Sequence, residues 1–205
     1  MAYLTLAEGE DYLSSYLGYT LGSDPAFVLA LIDAVSNAID RYTHRTFQGS
    51  QSNRLFDAVA DVEGRTLWVY QEGDLAPTSA SIEIINGNSA SIASGDFVTE
   101  PRNAFARAVP IIGFKIKDAA ATYWRYTTTP EDSIIVRGVW AYSATPPADV
   151  IQAAKIMLGV FWSQKGAENI QSIRMDDVSV TYANQVDARY GPLLLGLLEP
   201  LVREF

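Results

Sequence analysis

Hydrophobic residues recur at helical spacing in two stretches near the start of the chain. The first follows Thr5-Leu-Ala-Glu8, a capping-box pattern in which the Thr5 hydroxyl caps the Glu8 amide and the Glu8 carboxylate reaches back, and Gly18 marks its end. The second begins at Asp24-Pro25 and predicts a long amphipathic helix at about 25–46. Its apolar face comprises Phe27, Val28, Leu31, Ile32, Val35, Ile39 and Tyr42.

After a polar linker at 49–53, the pattern between Arg54 and Tyr142 changes to short alternating or β-branched runs, which are typical of strands. Asn86-Gly87 lies between two such runs and predicts a tight hairpin with a primed turn. We expect about five to seven strands here. The runs are RLFDA, RTLWVY, SIEIIN, DFVT, PIIGFKIK and SIIVRGVWAY.

The last strand-like run leads into Pro146-Pro147, which cannot donate to a strand ladder but suit the first turn of a helix. Asp149 falls in that turn, where the helix dipole favours a carboxylate, and Gly166 can close the helix. The apolar face is wide, so we expect it to contact more than one neighbour. It contains Val150, Ile151, Ala154, Met157, Leu158, Phe161 and Trp162.

The C-terminal region contains a strand-like stretch near 172–183 and a final segment of helical character, which Gly196 and Pro200 should break or kink. The order of elements predicts an α+β fold. N-terminal helices in residues 1–50 and C-terminal helices in residues 146–205 form a helical body, and residues 51–145 form a β-rich insertion between them.

Composition excludes several classes of site and protein. The chain has no cysteine, which rules out disulfides, thiolate nucleophiles and cysteine-ligated metals and fits a reducing cytoplasm. Its N-terminus lacks the pattern of a signal peptide, and no apolar run reaches the roughly 18 residues that a membrane helix needs. We therefore expect a protein that is neither secreted nor embedded in a membrane.

The net charge of −9 is unevenly distributed. Residues 1–100 carry 14 acidic and 4 basic residues, whereas residues 101–205 carry 10 and 11. Such an acidic chain is a poor candidate for wrapping nucleic acid, which requires clustered Lys and Arg. It does suit a wall past which nucleic acid slides without binding.

No catalytic or cofactor motif is present. The single histidine, His44, is better explained as a polar residue at a helix end than as a catalytic base. Asp176 and Asp177, alone or with Asp187, could form a metal site or an acid–base pair, but neighbouring residues of a strand point to opposite faces, so a solvated turn is favoured. We predict no enzyme, cofactor or metal site, while a carboxylate-based glycoside hydrolase remains an open alternative because it leaves no local motif.

Aromatic residues suggest two further alternatives. The basic and aromatic segment 114–126 could bind nucleic acid, although an exposed face with core aromatics is favoured. Trp68-Tyr70 and Trp140-Tyr142 could form a platform that recognises a glycan or host surface, although alternating aromatics in strands more often belong to a core or interface.

Four stretches of the sequence match a known pattern. The chain resembles the head-tail connector proteins, also called adaptor or head-completion proteins, of long-tailed bacteriophages and phage-like particles. The family's N-terminal helix ends in Ile-Asp, a Tyr and Arg-x-Phe, and its V-x-G-x-W-G-Y strand precedes a proline-marked turn and a helix. The stretches are ALIDAVSNAIDRYTHRTF at 30–47, IIVRGVWAYSATPPADVIQAAKIMLGVFW at 134–162, IQSIRMDDVSVTYA at 170–183 and LLEPLVREF at 197–205.

This resemblance implies a structural virion protein of the neck, made in the host cytoplasm. Its members typically form a dodecameric ring that docks beneath the portal protein, extends the DNA channel without sequence recognition, and supports stopper or tail-completion proteins. We expect the apolar end of the tail to contribute to docking on the portal or on a neighbouring subunit. An equally good explanation is that these residues cover the protein's own core. They are Leu198, Leu201, Val202 and Phe205.

Overall fold

The computed structural model describes residues 2–78, 82–87, 90–163 and 191–203. The chain divides into two compact units, a helical unit of Met1–His44 with Pro147–Phe205 and a β unit of Arg45–Pro146. The prediction of an α+β fold with helices at both ends and a β-rich middle is confirmed.

The helical unit has four described helices, and its first two follow the sequence signals closely. Thr5 and Glu8 form the predicted capping box, and Gly18 ends α1 in the left-handed conformation with a φ of 69°. The second helix ends at Thr43 rather than near 46, because His44 adopts a φ of 54°, which a right-handed helix cannot continue. The helices are α1 (Leu6–Leu17), α2 (Pro25–Thr43), α4 (Ala148–Ser163) and α5 (Gly191–Leu198); α3 (Ala104–Arg107) lies in the β unit.

Helix α4 uses its wide apolar face as predicted, since it packs against α1, α2 and α5. The Trp162 ring lies 5.0 Å from that of Tyr19 and 5.8 Å from that of Phe27. Gly9 allows α1 to approach α2 closely, because a Cβ added at Gly9 would lie 2.8 Å from Cδ1 of Ile32 in α2. Core positions of α4 include Val150, Ala153, Ala154 and Leu158.

Two predictions about the C-terminal region need comment. Gly196 does not break the helix, because α5 runs through it to Leu198, and an exposed helical glycine costs only about 1 kcal/mol. Pro200 lies where the α-helix gives way to a 3-10 turn, Glu199–Leu201. The predictions for Gly166 and for 172–183 lie outside the described residues.

The β unit contains eight described strands in two antiparallel sheets, more than the five to seven expected, because two strands have only two residues. Strand order is β1-β8-β4-β5 in one sheet and β2-β3-β7-β6 in the other. The strands are β1 (Gln51–Phe56), β2 (Val62–Glu63), β3 (Thr66–Trp68), β4 (Glu83–Asn86), β5 (Ala90–Ser91), β6 (Phe97–Glu100), β7 (Gly113–Ile116) and β8 (Ile134–Val139).

The first strand begins inside the predicted polar linker. Gln51 is paired with Val139 and Phe56 with Ile134, so β1 lies beside the last strand of the unit. Cross-strand pairing of this kind does not require local hydrophobic alternation. The ends of the β-rich region are therefore joined to each other.

The predicted hairpin after β4 is present, but its turn differs from the expected one. Asn86 pairs with Ala90, so three residues connect the strands, and only Gly87 of the pair has a positive φ, at 63°. A two-residue primed turn would need a positive φ at both central residues.

Both sheets contribute to one hydrophobic core in the β unit. Gly138 in β8 leaves room for Leu75, whose Cδ1 would lie 2.5 Å from a Cβ added at the glycine. Residues of this core include Phe56, Leu67, Leu75, Ile84, Phe97, Ile111, Phe114, Ile116, Trp124, Ile134, Val136 and Trp140.

Candidate docking site

Residues of two resemblance-bearing stretches meet inside the β unit. Arg45 Nη1 lies 2.8 Å from Asp74 Oδ2 in a largely buried ion pair, and the Arg45 guanidinium lies over the Tyr142 ring at 5.2 Å. Phe47 is fully buried, and its ring lies 5.4 Å from that of Tyr142. The Tyr142 backbone N–H donates to the Thr46 carbonyl at 2.7 Å. These motif residues hold together the two ends of the β unit.

Trp140 belongs to the same assembly and is almost completely buried. Its ring stacks on Phe56, its Nε1 donates to the Ser52 carbonyl at 3.2 Å, and the Arg54 guanidinium covers it at 4.4 Å. Gly49 passes so close that an added Cβ would lie 2.6 Å from the Trp140 carbonyl oxygen. A ring so enclosed offers no surface to a ligand.

The proposed glycan platform is therefore not assembled. The Trp68 and Tyr70 rings are inclined at 66° to each other, with Trp68 half-buried, whereas a sugar requires a flat exposed surface. Trp140 is 6% exposed and belongs to the core.

The basic and aromatic segment 114–126 contains both buried and exposed side chains. Trp124 is buried, and its Nε1 donates to the Arg65 carbonyl at 2.8 Å, while Phe114 is fully buried. Tyr123, Arg125 and Tyr126 are exposed. The preferred explanation, an exposed face with core aromatics, describes this segment.

Among the described residues, two acids have shifted pKa values, and contacts within the fold explain both shifts. The Glu8 pKa is lowered, chiefly because the Thr5 backbone N–H donates to its carboxylate, with a further hydrogen bond from the Thr5 hydroxyl. Burial raises the pKa of Asp40, which accepts a hydrogen bond from the Tyr3 hydroxyl. Among the described residues, no second carboxylate contributes to either shift.

Other candidate chemical groups do not converge where the structure describes them. His44 is exposed at the C-terminal end of α2, as expected of a polar residue at a helix end. Within the described ranges, no three His, Cys, Asp or Glu residues come together in a way that could hold a metal ion. Asp176, Asp177 and Asp187 lie outside those ranges.

The predicted docking residues that the structure describes differ in how deeply they are buried. Leu198 is only 4% exposed, so it belongs to the core of the helical unit, whereas Leu201 and Val202 are half-buried. The Arg203 backbone N–H donates to the Thr43 carbonyl at 3.0 Å and ties the tail to the end of α2. Phe205 lies outside the described residues.

Sequence reasoning missed the exposed apolar side chains at the start of α5. Leu193 is 53% exposed and Leu195 is also exposed, although the surrounding run GPLLLGLL is apolar throughout. Uniform hydrophobicity gave no periodic signal that could separate the buried from the exposed positions. We group them with Leu201 and Val202 as candidate docking residues and call this set the α5 site.

None of the described helices has the length and apolar character that spanning a membrane requires.

Comparison with known proteins identifies similar folds. No family model and no curated protein matches the sequence. A chain from the neck of an empty GTA particle, computed with C6 symmetry, aligns with 99% of this chain and 91% of its own length, at 14% identity and a TM-score of 0.56. A chain from the virion of a native gene transfer agent (GTA) particle aligns over the same shares at 16% identity and a TM-score of 0.56. The chain therefore shares its fold with chains of the GTA neck and virion.

Proposed function

We propose that this chain is a structural, non-enzymatic protein of a virion neck. In this role it is an adaptor ring, a dodecamer in the particle, that joins the portal of the head to a stopper or tail-completion protein. The observation that carries the proposal is the fold shared with a GTA neck chain across 99% of this chain, which includes both units.

The motif geometry supports the same assignment. Arg45, Phe47, Trp140 and Tyr142 occupy positions that the resemblance singles out, and they form one connected structural assembly in the β unit. The resemblance at these positions therefore concerns residues on which the fold depends.

The α5 site is the proposed contact with the portal or with a neighbouring subunit. Leu193 and Leu195 expose apolar area, and Leu201 and Val202 lie just beyond them in the anchored tail. Leu198 is buried, so its proposed role is to hold α5 in place rather than to contact a partner. Burial of such side chains against a partner removes apolar area from water, which favours association.

The acidic balance supports a place beside passing DNA. Residues 1–44 carry 6 acidic residues and 1 basic residue, so this part of the helical unit repels phosphate. A channel that DNA must traverse without sequence recognition requires surfaces that do not retain it.

The assignment is tested by mixing the purified chain with the portal protein of its particle and measuring co-sedimentation. We expect a complex, and we expect particles that lack the chain to accumulate as heads without tails under the electron microscope. Complete tailed particles in its absence, together with no portal complex, would overturn the assignment.

The α5 site is tested with the double variant Leu193→Asp/Leu195→Asp, which changes only exposed side chains. We expect at least about tenfold weaker portal binding, the loss caused by about 1.4 kcal/mol. Val59→Asp, at an exposed turn of the β unit, is the matched control and should bind normally. Equal binding by the two variants would remove α5 from the interface.

A further inference from the structure

The loop between β6 and β7 is a compact, ordered excursion of residues 101–112, which we call the α3 loop. It contains the short helix α3, Ala104–Arg107, and is held by the Ile112 N–H, which donates to the Glu100 carbonyl at 2.7 Å. Ala104 and Ile111 are fully buried and anchor it in the core of the β unit.

Backbone strain marks both ends of α3. Asn103 has a φ of 60° and Ala108 a φ of 51°, although neither is glycine. A left-handed alanine is strained, and such strain is retained where the surrounding structure fixes the conformation, often at functional sites. The strained backbone at both ends therefore indicates that the surrounding structure holds α3 in one conformation.

The α3 loop presents an exposed aromatic ring between two exposed cations. Phe105 is 39% exposed, and Arg102 and Arg107 are exposed without an ion-pair partner among the described residues. Residues 101–117 contain four basic residues and no acidic one. Arg and aromatic residues are the types enriched at the centres of protein interfaces.

The helical unit carries a surface of the opposite chemistry, which we call the acidic corner and define as residues 8–24. It contains four acidic residues and no basic one. Tyr16, Leu17 and Leu21 are exposed on it, with Tyr16 at 74%. Glu10 orders the corner, because it accepts from the Tyr19 hydroxyl at 2.7 Å and from the Gly22 N–H at 3.2 Å.

We propose that the α3 loop of one copy binds the acidic corner of a second copy. Phe105 packs against Leu17 and Leu21, and Arg102 and Arg107 pair with carboxylates such as Asp11, which has no ion-pair partner among the described residues. Two different surfaces meet, so the contact is heterologous and generates a ring when its rotation closes. The inference deepens the proposed adaptor function and rests on it.

A protein surface fits the α3 loop better than nucleic acid does. Two arginines release few counterions from a phosphate backbone, and a net charge of −9 opposes DNA binding by the whole chain. An exposed phenylalanine also needs apolar area to cover it, which Leu17 and Leu21 supply.

The absence of cysteine makes the contact directly testable by cross-linking. Two single-cysteine chains, Ser15→Cys on the acidic corner and Ala106→Cys on the α3 loop, are mixed in equal amounts with a short bismaleimide. Both positions are exposed. We expect the mixed product to exceed either homodimeric product several-fold and to decrease as salt is raised. Ala60→Cys, also exposed, replaces Ala106→Cys in the control mixture and should give no excess.

Charge reversal tests the chemistry of the contact. We expect Arg102→Glu/Arg107→Glu in the α3-loop chain to reduce the mixed product about tenfold, because like charges then face each other. Asp11→Arg in the corner chain should restore part of it. The control pair Arg41→Glu/Arg125→Glu makes the same change of charge at two exposed arginines outside both surfaces and should leave the product unchanged.

Three outcomes would overturn the inference. They are no excess of mixed product at the highest soluble concentration, an equal loss in both charge-reversed pairs, and binding of a DNA duplex that depends on Arg102 and Arg107 while cross-linking does not. The last would assign the loop to nucleic acid. Because the purified chain is used alone, a failed cross-link with intact portal binding rejects only this contact, and the converse result rejects only the adaptor assignment.

Discussion

The helix caps of the helical unit and the Trp140 contacts of the β unit act over different distances along the chain. In the helical unit, caps and turns join close neighbours, such as the Glu8 N–H donating to the Thr5 hydroxyl and the Thr43 hydroxyl donating to the Ile39 carbonyl. In the β unit, Trp140 Nε1 reaches the Ser52 carbonyl 88 residues away.

This difference affects how each unit responds to substitution. A local cap contributes about 1 kcal/mol and its loss leaves the tertiary packing in place. A contact between distant segments closes a long loop, whose entropic cost must be recovered from few interactions. Single substitutions at the long-range contacts of the β unit should therefore have larger effects than substitutions at a helix cap.

The largest effect is expected from Asp74→Ala. This change leaves the Arg45 guanidinium largely buried without its carboxylate, and Arg45 Nε has no hydrogen-bond partner even in the intact pair. Breaking a buried pair in this way costs about 3–5 kcal/mol. Urea unfolding followed by fluorescence in a Trp162→Phe background reports the β unit, because the other three tryptophans, Trp68, Trp124 and Trp140, lie there.

The double variant Arg45→Met/Asp74→Leu is its control. Because it removes both charges, we expect it to recover most of the lost free energy of unfolding. A double variant as unstable as Asp74→Ala would mean that packing at this position, and not the unpaired charge, dominates.

A smaller loss is expected from Gly49→Ala. The added Cβ would lie 2.6 Å from the Trp140 carbonyl oxygen, and backbone must move to relieve the clash. Overpacking of this kind costs about 1–3 kcal/mol, measurable by the same unfolding experiment. Gly95→Ala is the matched control, since nothing lies within 4 Å of its added Cβ, and it should be neutral or slightly stabilising.

The smallest effect is expected from Glu8→Gln in the helical unit. The folded-state pKa of Glu8 is lowered, so its charge stabilises the fold above the ordinary carboxyl pKa and this contribution is lost as pH falls through the folded-state value. The group is exposed and solvent screens it, so the difference at neutral pH should be at most about 0.5 kcal/mol.

Hydrogen exchange of the α1 amides at several pH values measures this difference. Wild type and Glu8→Gln should converge at low pH. A constant difference would instead indicate that the hydrogen bond, and not the charge, carries the stabilisation. A loss of stability as large as that of Asp74→Ala would mean that this helix cap matters as much as the buried ion pair of the β unit.

The candidate α5 site was only partly predictable. The tail was identified as apolar, but its run of leucines has no periodic pattern that distinguishes a buried Leu198 from an exposed Leu193. That distinction follows from which face of α5 packs on α4. The proposed pairing of the acidic corner with the α3 loop likewise depends on which side chains are exposed, and composition does not give that information.

The helix ends marked by caps and the class of the fold could be predicted from local sequence signals. Thr5, Glu8, Gly18 and Pro25 act within a few residues of themselves, so their signals survive without knowledge of the rest of the chain. Three features emerge only in the folded chain: β1 begins inside a polar linker, it pairs with β8, and the Trp140 ring is buried rather than exposed. These outcomes depend on contacts between residues far apart in sequence, whose pairing no local pattern encodes.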